Sequence, residues 1–292
     1  MRVTEGMKYQ TALRSLGSLA SRQADAQREA STGSRIDAPS ADPIAAAQNA
    51  RIRASLGQVD AHRTTVRSVQ GDVETAEGAL ASAGDLLQRA REIAVQGSNG
   101  SLAAADRASL AQEVTGLRQQ LIALGNTRGS SGYLFAGSKT NAAAFDSNGN
   151  FLGDDAAHLV DVGGTSPTDV SVSGARAFTA AGGRDIFQDL ADLATALGTN
   201  DQAAVASSLT NVDAAHAQIL KVRGEAGLSI DRLQTTDSAL ESFQVNLQKT
   251  AHDVADADPY TAYSALTTIG NSLDQAVAVT RQVLQTSALN RF

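Results

Sequence analysis

The sequence contains neither cysteine nor tryptophan, and aromatic residues make up only 4% of its 292 positions. Without cysteine, disulfide bonds, a thiolate zinc site and a cysteine nucleophile are excluded. No stretch approaches the roughly 18 apolar residues that a membrane-spanning helix needs. Residues 1–10 lack the apolar core of a cleaved secretory signal. We therefore expect a soluble chain that, if it leaves the cell, does so without a cleaved signal.

Residue types that build catalytic or metal sites are scattered along the chain. The four histidines are far apart in sequence: His62, His158, His216 and His252. The adjacent carboxylates at 154 and 155 lie in a glycine-containing loop, and neighbouring carboxylates rarely face one pocket. No phosphate-binding glycine motif or nucleophile elbow occurs. We expect no enzymatic activity, no cofactor and no metal.

Charge is distributed unevenly along the chain. The net charge is −7, with a balance of +2 over residues 1–128, −3 over 129–183 and −6 over 184–292. The two ends therefore differ in sign, as two segments that pair along their length would. No polybasic face is present, so we expect neither a nucleic-acid nor a membrane partner.

Two long stretches carry heptad spacing of apolar residues, which is typical of long packed helices. The first apolar seam runs from Ile52 to Ala94 and ends before Asn99-Gly100. The second runs from Val205 to Val254 and is interrupted by Asp258-Pro259, because the residue before proline disfavours helix. A shorter amphipathic helix is predicted between them, with Leu110, Val114, Leu117, Leu121 and Leu124 on one face.

The two ends carry weaker amphipathic segments. A first helix is predicted over about 4–32, with Leu13 and Leu16 on its apolar side, and Pro39 and Pro43 separate it from the first long seam. A last helix follows residue 259, and its apolar side includes Leu273, Val277 and Leu284. We expect these ends to fold against neighbouring molecules.

The middle of the chain differs in composition. Residues 129–183 hold ten of the 25 glycines, short alternating stretches and an Asn148-Gly149 turn signal. We predict a mainly α fold, a nested antiparallel bundle of long helices with a small β-rich central insert. The predicted segments are a terminal helical layer (1–38 and 258–292), a long-helix bundle (39–131 and 184–257) and an outer β-rich insert (132–183).

Several segments, taken in order, resemble the flagellin superfamily. Residues 32–43 read TGSRIDAPSADP, similar to the family pattern SG-x-RI-x-x-PSDDP, and residues 89–100 and 112–127 also match. The tract GYLFAGSKT over residues 132–140 is most similar to the hook-associated branch of that superfamily. Ala144-Phe145 stands where that branch usually has a Pro-Phe pair.

The resemblance implies a flagellin-like fold and a structural subunit of the bacterial flagellum that joins the hook to the filament and templates flagellin assembly. It implies a ring of copies of the chain, with an adjacent hook-associated protein on the hook side and flagellin on the filament side. It also implies an extracellular location, reached through the flagellar export machinery with the help of a chaperone and without a cleaved signal.

The resemblance also indicates which residues contact other subunits. The expected contacts are Gly33, Arg35, Ile36, Pro39, Asp42, Pro43, Leu13, Leu16, Leu273, Val277 and Leu284. Tyr133, Leu134, Phe135 and Gly137 are the residues of the family tract, and no contact is assigned to them. Arg35 is expected to pair with an acidic residue of a neighbour, which would stabilise the contact by only about 0–1 kcal/mol. The alternative for residues 33–43 is an ordinary connection between two helices.

Three other interpretations remain open at this stage. A filament flagellin would share the helical layers and the 33–43 loop, and the 133–140 tract is what favours the hook-associated branch over it. A cytoplasmic, dimeric coiled-coil adaptor would explain the seams but neither the joint at Pro39 and Pro43 nor the insert. A helical bundle with no role in assembly would also explain the seams.

Overall fold

A computed structural model of the chain describes residues 2–36, 39–40, 42–157, 159–161, 163, 168–170 and 172–289. The helices are α1 (Arg2–Thr32), α2 (Pro43–Gly97), α3 (Ala104–Gly125), α4 (Gly174–Phe178), α5 (Ile186–Gly198), α6 (Gln202–Ala255) and α7 (Pro259–Leu289). A 3₁₀ turn spans Ala180–Gly182, and the strands are β1 (Arg128–Gly129), β2 (Gly132–Tyr133), β3 (Leu159–Val160) and β4 (Thr168–Asp169). The predicted fold class, mainly α with two long helices and a small insert, is confirmed.

The chain divides into two compact units, Met1–Gln58 with Gln244–Phe292 and Val59–Phe243. In the first unit α1 packs against α7. The two helices are antiparallel, because Gly33 at the end of α1 accepts a hydrogen bond from Ala257, just before α7. Within the described part of this unit, the buried hydrophobic side chains are mostly alanine: Ala26, Ala45, Ile52, Ala255 and Ala262.

In the second unit the remaining parts of α2 and α6 run antiparallel. Ion pairs between the helices join Arg63 to Asp237 and Arg91 to Asp213, so the early part of one helix lies beside the late part of the other. The predicted seams form the buried core, which includes Val66, Val73, Leu80, Leu87, Val205, Val212, Ile219 and Leu233. The expectation that the two seams pack on each other is therefore met in this unit.

Helix α5 packs against α3 and was not among the predicted elements. This helix is too short to show a repeating heptad pattern, but its N-terminal cap and its apolar spacing can be seen in the sequence. Asp185 caps it by accepting a hydrogen bond from the Gln188 N–H at 3.0 Å. Its apolar residues at helical spacing are fully buried: Ile186, Phe187, Leu190, Leu193 and Leu197.

The insert contains less strand than the alternating stretches predict. β1 pairs with β2 and β3 with β4, each as a two-residue antiparallel ladder. The predicted turn at Asn148-Gly149 is present, between the bridge partners Phe145 and Phe151. Residues 158, 162 and 171 of the predicted strands lie outside the described residues. Aromatic packing holds the insert instead, through Phe135, Phe145, Phe151, Phe178 and Phe187, with neighbouring ring centres 5.0–5.6 Å apart.

Candidate assembly surface

Backbone hydrogen bonds hold the loop after α1 against the end of α6. Gly33 ends α1 in the left-handed conformation (φ +67°) with its N–H bonded to the Glu29 carbonyl at 2.9 Å, a common helix C-cap. The Arg35 N–H then donates to the Ala255 carbonyl at 2.8 Å, and the Ala257 N–H donates to the Gly33 carbonyl at 2.9 Å. This short antiparallel bridge fixes where α1 ends relative to α6 in the first unit.

The Arg35 side chain takes part in the same joint. Its Nη2 donates to the Val254 carbonyl at 2.8 Å, in the last turn of α6. A guanidinium there satisfies a carbonyl that has no partner within the helix and complements the helix dipole. Arg35 is otherwise exposed, and its pairing with an acidic residue of a neighbouring subunit stays a prediction.

Two Asp-Pro pairs start the helices on either side of the joint. The Asp42 carboxylate accepts from the Ala45 N–H at 3.0 Å and starts α2, and Pro43 is the first helical residue. Asp258 and Pro259 start α7 in the same sequence context, and the Tyr260 N–H donates to Asp258 Oδ1 at 3.0 Å. The predicted helix breaks at Pro43 and at Asp258-Pro259 are therefore present, and at each of them an aspartate side chain caps the start of the next helix.

Several predicted contact residues of the first unit are accessible. Gly33, Pro39 and Pro43 are exposed, and Ile36 is half-buried. Ile44, which follows Pro43, is 82% exposed. The predicted contact residues at this joint are therefore accessible to another molecule.

The terminal helices also present apolar residues to solvent. Leu13 is exposed, Leu16, Leu273 and Val277 are half-buried, and the side chain of Leu284 lies outside the described part of the chain. Sequence reasoning missed two further apolar residues of α7 that face outward, Tyr260 (83% exposed) and Val279 (60% exposed). Tyr263 is also exposed (60%), and Tyr260, Tyr263 and Val279 are hereafter the exposed apolar residues of α7.

Helix α7 is unusual in charge. Its 31 residues include two charged side chains, Asp274 and Arg281, whereas α1, of equal length, includes eight. A helix that faces water normally carries charged residues on its outer face. The scarcity of charge and the exposed apolar residues together distinguish α7 from an ordinary helix that faces water.

The family tract in the insert is a packing centre of the second unit. Phe135 is fully buried edge-on against Phe178. Gly137 has φ +67°, and a Cβ there would lie 2.1 Å from the Asp154 carbonyl oxygen. Tyr133 is half-buried under the Arg128 guanidinium, 4.3 Å from the ring centre. Leu134 packs against the core. These contacts explain the residue types of the tract without any contact to a partner.

Two carboxylates anchor the insert and were not predicted. Asp154 accepts from Ser138 Oγ at 2.6 Å and from the Ser138 N–H at 2.7 Å, and these bonds hold its pKa below the ordinary value. For Asp72 on α2, burial raises the pKa, but hydrogen bonds from Ser130 and Ser131 together outweigh it and lower the pKa. Both carboxylates are therefore ionised acceptors that tie loops in place.

Neither a metal site nor a membrane span is apparent in the part of the chain that the structure describes. His62 and His216 are half-buried on the two long helices, as packed side chains. Within the described ranges, no three His, Asp or Glu side chains are grouped to hold a metal ion. Nor does any described helix combine the length and apolarity required to cross a bilayer.

Comparison with known proteins agrees with this architecture. The family model for the bacterial flagellin N-terminal helical region matches residues 3–140, and the model for the C-terminal helical region matches residues 209–290. Flagellar hook-associated protein 3 of Escherichia coli K12 is 30% identical over 282 residues, covering 88% of this chain and 89% of that protein. The chain belongs to the flagellar hook-associated protein 3 family.

A solved structure and a flagellin are also similar to the chain. The crystal structure of the flagellar junction protein FlgL from Legionella pneumophila has a TM-score of 0.58 and 18% identity, covering 72% of this chain and all of that one. At this identity the likeness establishes the fold. Flagellin D of Vibrio anguillarum is 24% identical over an aligned region that covers 80% of this chain and 58% of the flagellin. The hook-associated protein 3 family thus accounts for more of the chain than flagellin does.

Proposed function

We propose that this protein is a structural, non-enzymatic component of the bacterial flagellum that joins the hook to the filament. One observation carries the proposal beyond family membership. The first unit buries mainly alanine while Tyr260, Tyr263 and Val279 face outward. Alanine contributes little apolar area, so this unit gains most of its burial from contacts with other subunits.

The proposed arrangement follows the three segments of the sequence. The terminal layer (1–38 and 258–292) contacts equivalent helices of other copies in a ring. The long-helix bundle (39–131 and 184–257) forms the next layer, and the insert (132–183) lies outermost. One end of the ring meets an adjacent hook-associated protein and the other meets the first flagellin subunits. The chain reaches this place by flagellar export, with a chaperone and without a cleaved signal.

Seeded assembly followed by electron microscopy tests this proposal. Purified full-length protein is added to detached hooks and, separately, to short filament seeds. A layer on hook tips that does not elongate is the expected result. Long filaments would identify a flagellin instead, and a discrete soluble dimer with no binding to either seed would favour a coiled-coil adaptor.

A variant pair tests the surface itself. Tyr260→Asp combined with Val279→Asp places charges at two exposed apolar residues of α7 and should abolish binding to hook tips while circular dichroism stays unchanged. Leu152→Asp is the matched control, because Leu152 is also exposed but lies in the insert. Normal hook binding by the α7 variant, or equal loss in both variants, would contradict the role of α7.

A further inference from the structure

The turn between α2 and α3 holds an asparagine side chain in a reactive position. The Leu102 N–H donates to the Asn99 carbonyl at 3.1 Å and closes the turn. The Asn99 side-chain oxygen Oδ1 accepts from the Ser101 N–H at 3.1 Å and from Ser101 Oγ at 2.9 Å. The ring that this Asx turn closes contains both Asn99 Cγ and the Gly100 nitrogen, the two atoms that a succinimide joins.

The two Ser101 donors act as a small oxyanion hole. Both point at the oxygen that gains negative charge if a nucleophile attacks the side-chain carbon Cγ of Asn99. Their distances match those of donors that stabilise tetrahedral intermediates in acyl transfer. The site is exposed at residues 99–101, so water and hydroxide reach it.

The nucleophile is also activated. Arg107 is 2% exposed, and its Nη2 donates to the Asn99 backbone carbonyl at 2.6 Å. This carbonyl shares its peptide bond with the Gly100 nitrogen, so a permanent cation on the oxygen stabilises the deprotonated nitrogen. Glycine at position 100 has no Cβ to obstruct the approach of Cγ.

We propose that Asn99 is a site of spontaneous covalent modification, by deamidation through a succinimide. Hydroxide removes the Gly100 amide proton, and the nitrogen forms a bond to Asn99 Cγ while the carbonyl electrons move to Oδ1. The water formed in the first step gives a proton to the side-chain nitrogen Nδ2 of Asn99, the Cγ–Nδ2 bond breaks as the carbonyl reforms, and ammonia leaves while hydroxide is regenerated. One water then opens the ring at either carbonyl, which yields aspartate or isoaspartate. The net reaction consumes one water and releases one ammonia, with no redox change.

The second Asn-Gly pair of the chain is an internal control. In the turn at Asn148-Gly149, the Gly149 N–H is held by the Asp146 carbonyl at 3.0 Å. The Asp146 carboxylate accepts from the Asn148 N–H at 2.8 Å, and a negative charge beside this turn opposes deprotonation of the Gly149 nitrogen. A Cβ at Gly149 would lie 2.8 Å from the Phe187 side chain, so the turn is also tightly packed.

Modification at position 99 has a structural consequence. Arg107 also donates to the Gly97 and Leu102 carbonyls, both at 2.9 Å, and to Oδ1 of Asn200. Isoaspartate lengthens the main chain by one carbon inside this set of acceptors and displaces the Asn99 carbonyl. We expect the modified chains to unfold at a lower temperature than unmodified chains.

Peptide mapping by mass spectrometry tests the proposal on the full-length protein. The protein is aged in mildly alkaline buffer, and deamidation at Asn99 and Asn148 is followed separately, with the aspartate and isoaspartate peptides resolved by chromatography. We expect Asn99 to react about tenfold faster than Asn148 in the folded protein, since several hydrogen bonds differ between the sites. In concentrated urea the two rates should converge. A native ratio equal to the ratio in urea, or faster reaction at Asn148, would overturn the proposal.

A variant pair isolates the oxyanion contact. Ser101→Ala removes the hydroxyl donor and should slow reaction at Asn99 about fivefold, the effect of one ordinary hydrogen bond. Ser101→Thr keeps the hydroxyl and should keep the rate. Asn148 serves as the reference within each protein, so a general loss of structure would change both sites. Equal rates at Asn99 in the alanine and threonine variants would refute the role of Ser101.

Discussion

Arg63 and Asp237, 174 residues apart in sequence, form a forked ion pair between α2 and α6. Arg63 Nε donates to Asp237 Oδ1 at 2.9 Å and Nη2 donates to Oδ2 at 3.3 Å. Both side chains are largely buried against the helices, with 12% and 20% of their surface exposed. The geometry is bidentate, which makes the pair more specific than a single contact between charges.

The Arg63 guanidinium donates to Asp237 and holds the pKa of that carboxyl below its ordinary value. A carboxyl whose pKa is lower in the folded than in the unfolded state stabilises the fold above its unfolded pKa, about 3.9, and loses this contribution as pH falls through the folded pKa. Asp237→Asn should therefore lower the free energy of unfolding by about 1 kcal/mol at neutral pH. The difference in unfolding free energy between the variant and the parent protein should shrink below about pH 4. Urea titrations at several pH values measure it. A difference that does not vary with pH would contradict this account.

The ion pairs alternate in sign along the two helices. Arg63, Glu77 and Arg91 on α2 face Asp237, Arg223 and Asp213 on α6. A slip of two heptads would place like charges together, so the pattern favours one register. Glu77→Arg and Arg223→Glu should each destabilise the protein, and the double variant should recover most of the loss. A double-mutant cycle of thermal unfolding measures the coupling, and additive effects would argue against a register role.

The long helices could be predicted from the sequence because their signals are long and local. The seam from Val205 to Val254 places α6 to within three residues at each end, whereas α2 begins nine residues before the seam from Ile52. Glycine and proline mark the ends of the helices. The opposite charge of the two ends also indicated pairing. The partner of Arg63 could not be identified, because several acidic residues of α6 lie at suitable spacing and the register decides among them.

The insert could not be predicted in the same detail. Alternating residues predicted strands, but aromatic packing and side-chain bonds to the backbone dominate there. The Asn126 side chain, for example, forms hydrogen bonds with both the N–H and the carbonyl of Phe145. Outside the insert, Arg107 likewise donates to backbone carbonyls of one turn and to the side chain of Asn200. Backbone acceptors are the same for every residue type, so the sequence holds no sign of which carbonyl a side chain will reach.

The glycine of the family tract offers a clear stability test. Gly137→Ala introduces a Cβ at positive φ against the Asp154 carbonyl, and it should lower the free energy of unfolding by at least about 2 kcal/mol. Gly78→Ala is the matched control. Gly78 lies inside α2, and a Cβ there meets nothing within 4 Å. The control should raise stability by about 0.5–1 kcal/mol, because alanine is the better helix former. Urea denaturation followed by circular dichroism measures both, and effects of the same sign would contradict the prediction.

The Asn126 side chain connects the end of α3 to the insert. A substitution there that keeps the side-chain shape tests how much its hydrogen bonds contribute to stability. Its Oδ1 accepts from the Phe145 N–H and its Nδ2 donates to the Phe145 carbonyl, both at 2.9 Å. Asn126→Asp keeps the shape but turns the donor into an ionised oxygen facing a carbonyl, so it should cost about 2 kcal/mol at neutral pH. The introduced carboxyl is destabilised in its charged form, which raises its folded pKa above the unfolded value. The cost should therefore shrink as pH is lowered towards about 4, where protonation restores a donor. Asn246→Asp, at an exposed position of α6, should change stability by less than about 0.5 kcal/mol. An equal effect of the two substitutions would show that the Phe145 contact does not hold the insert.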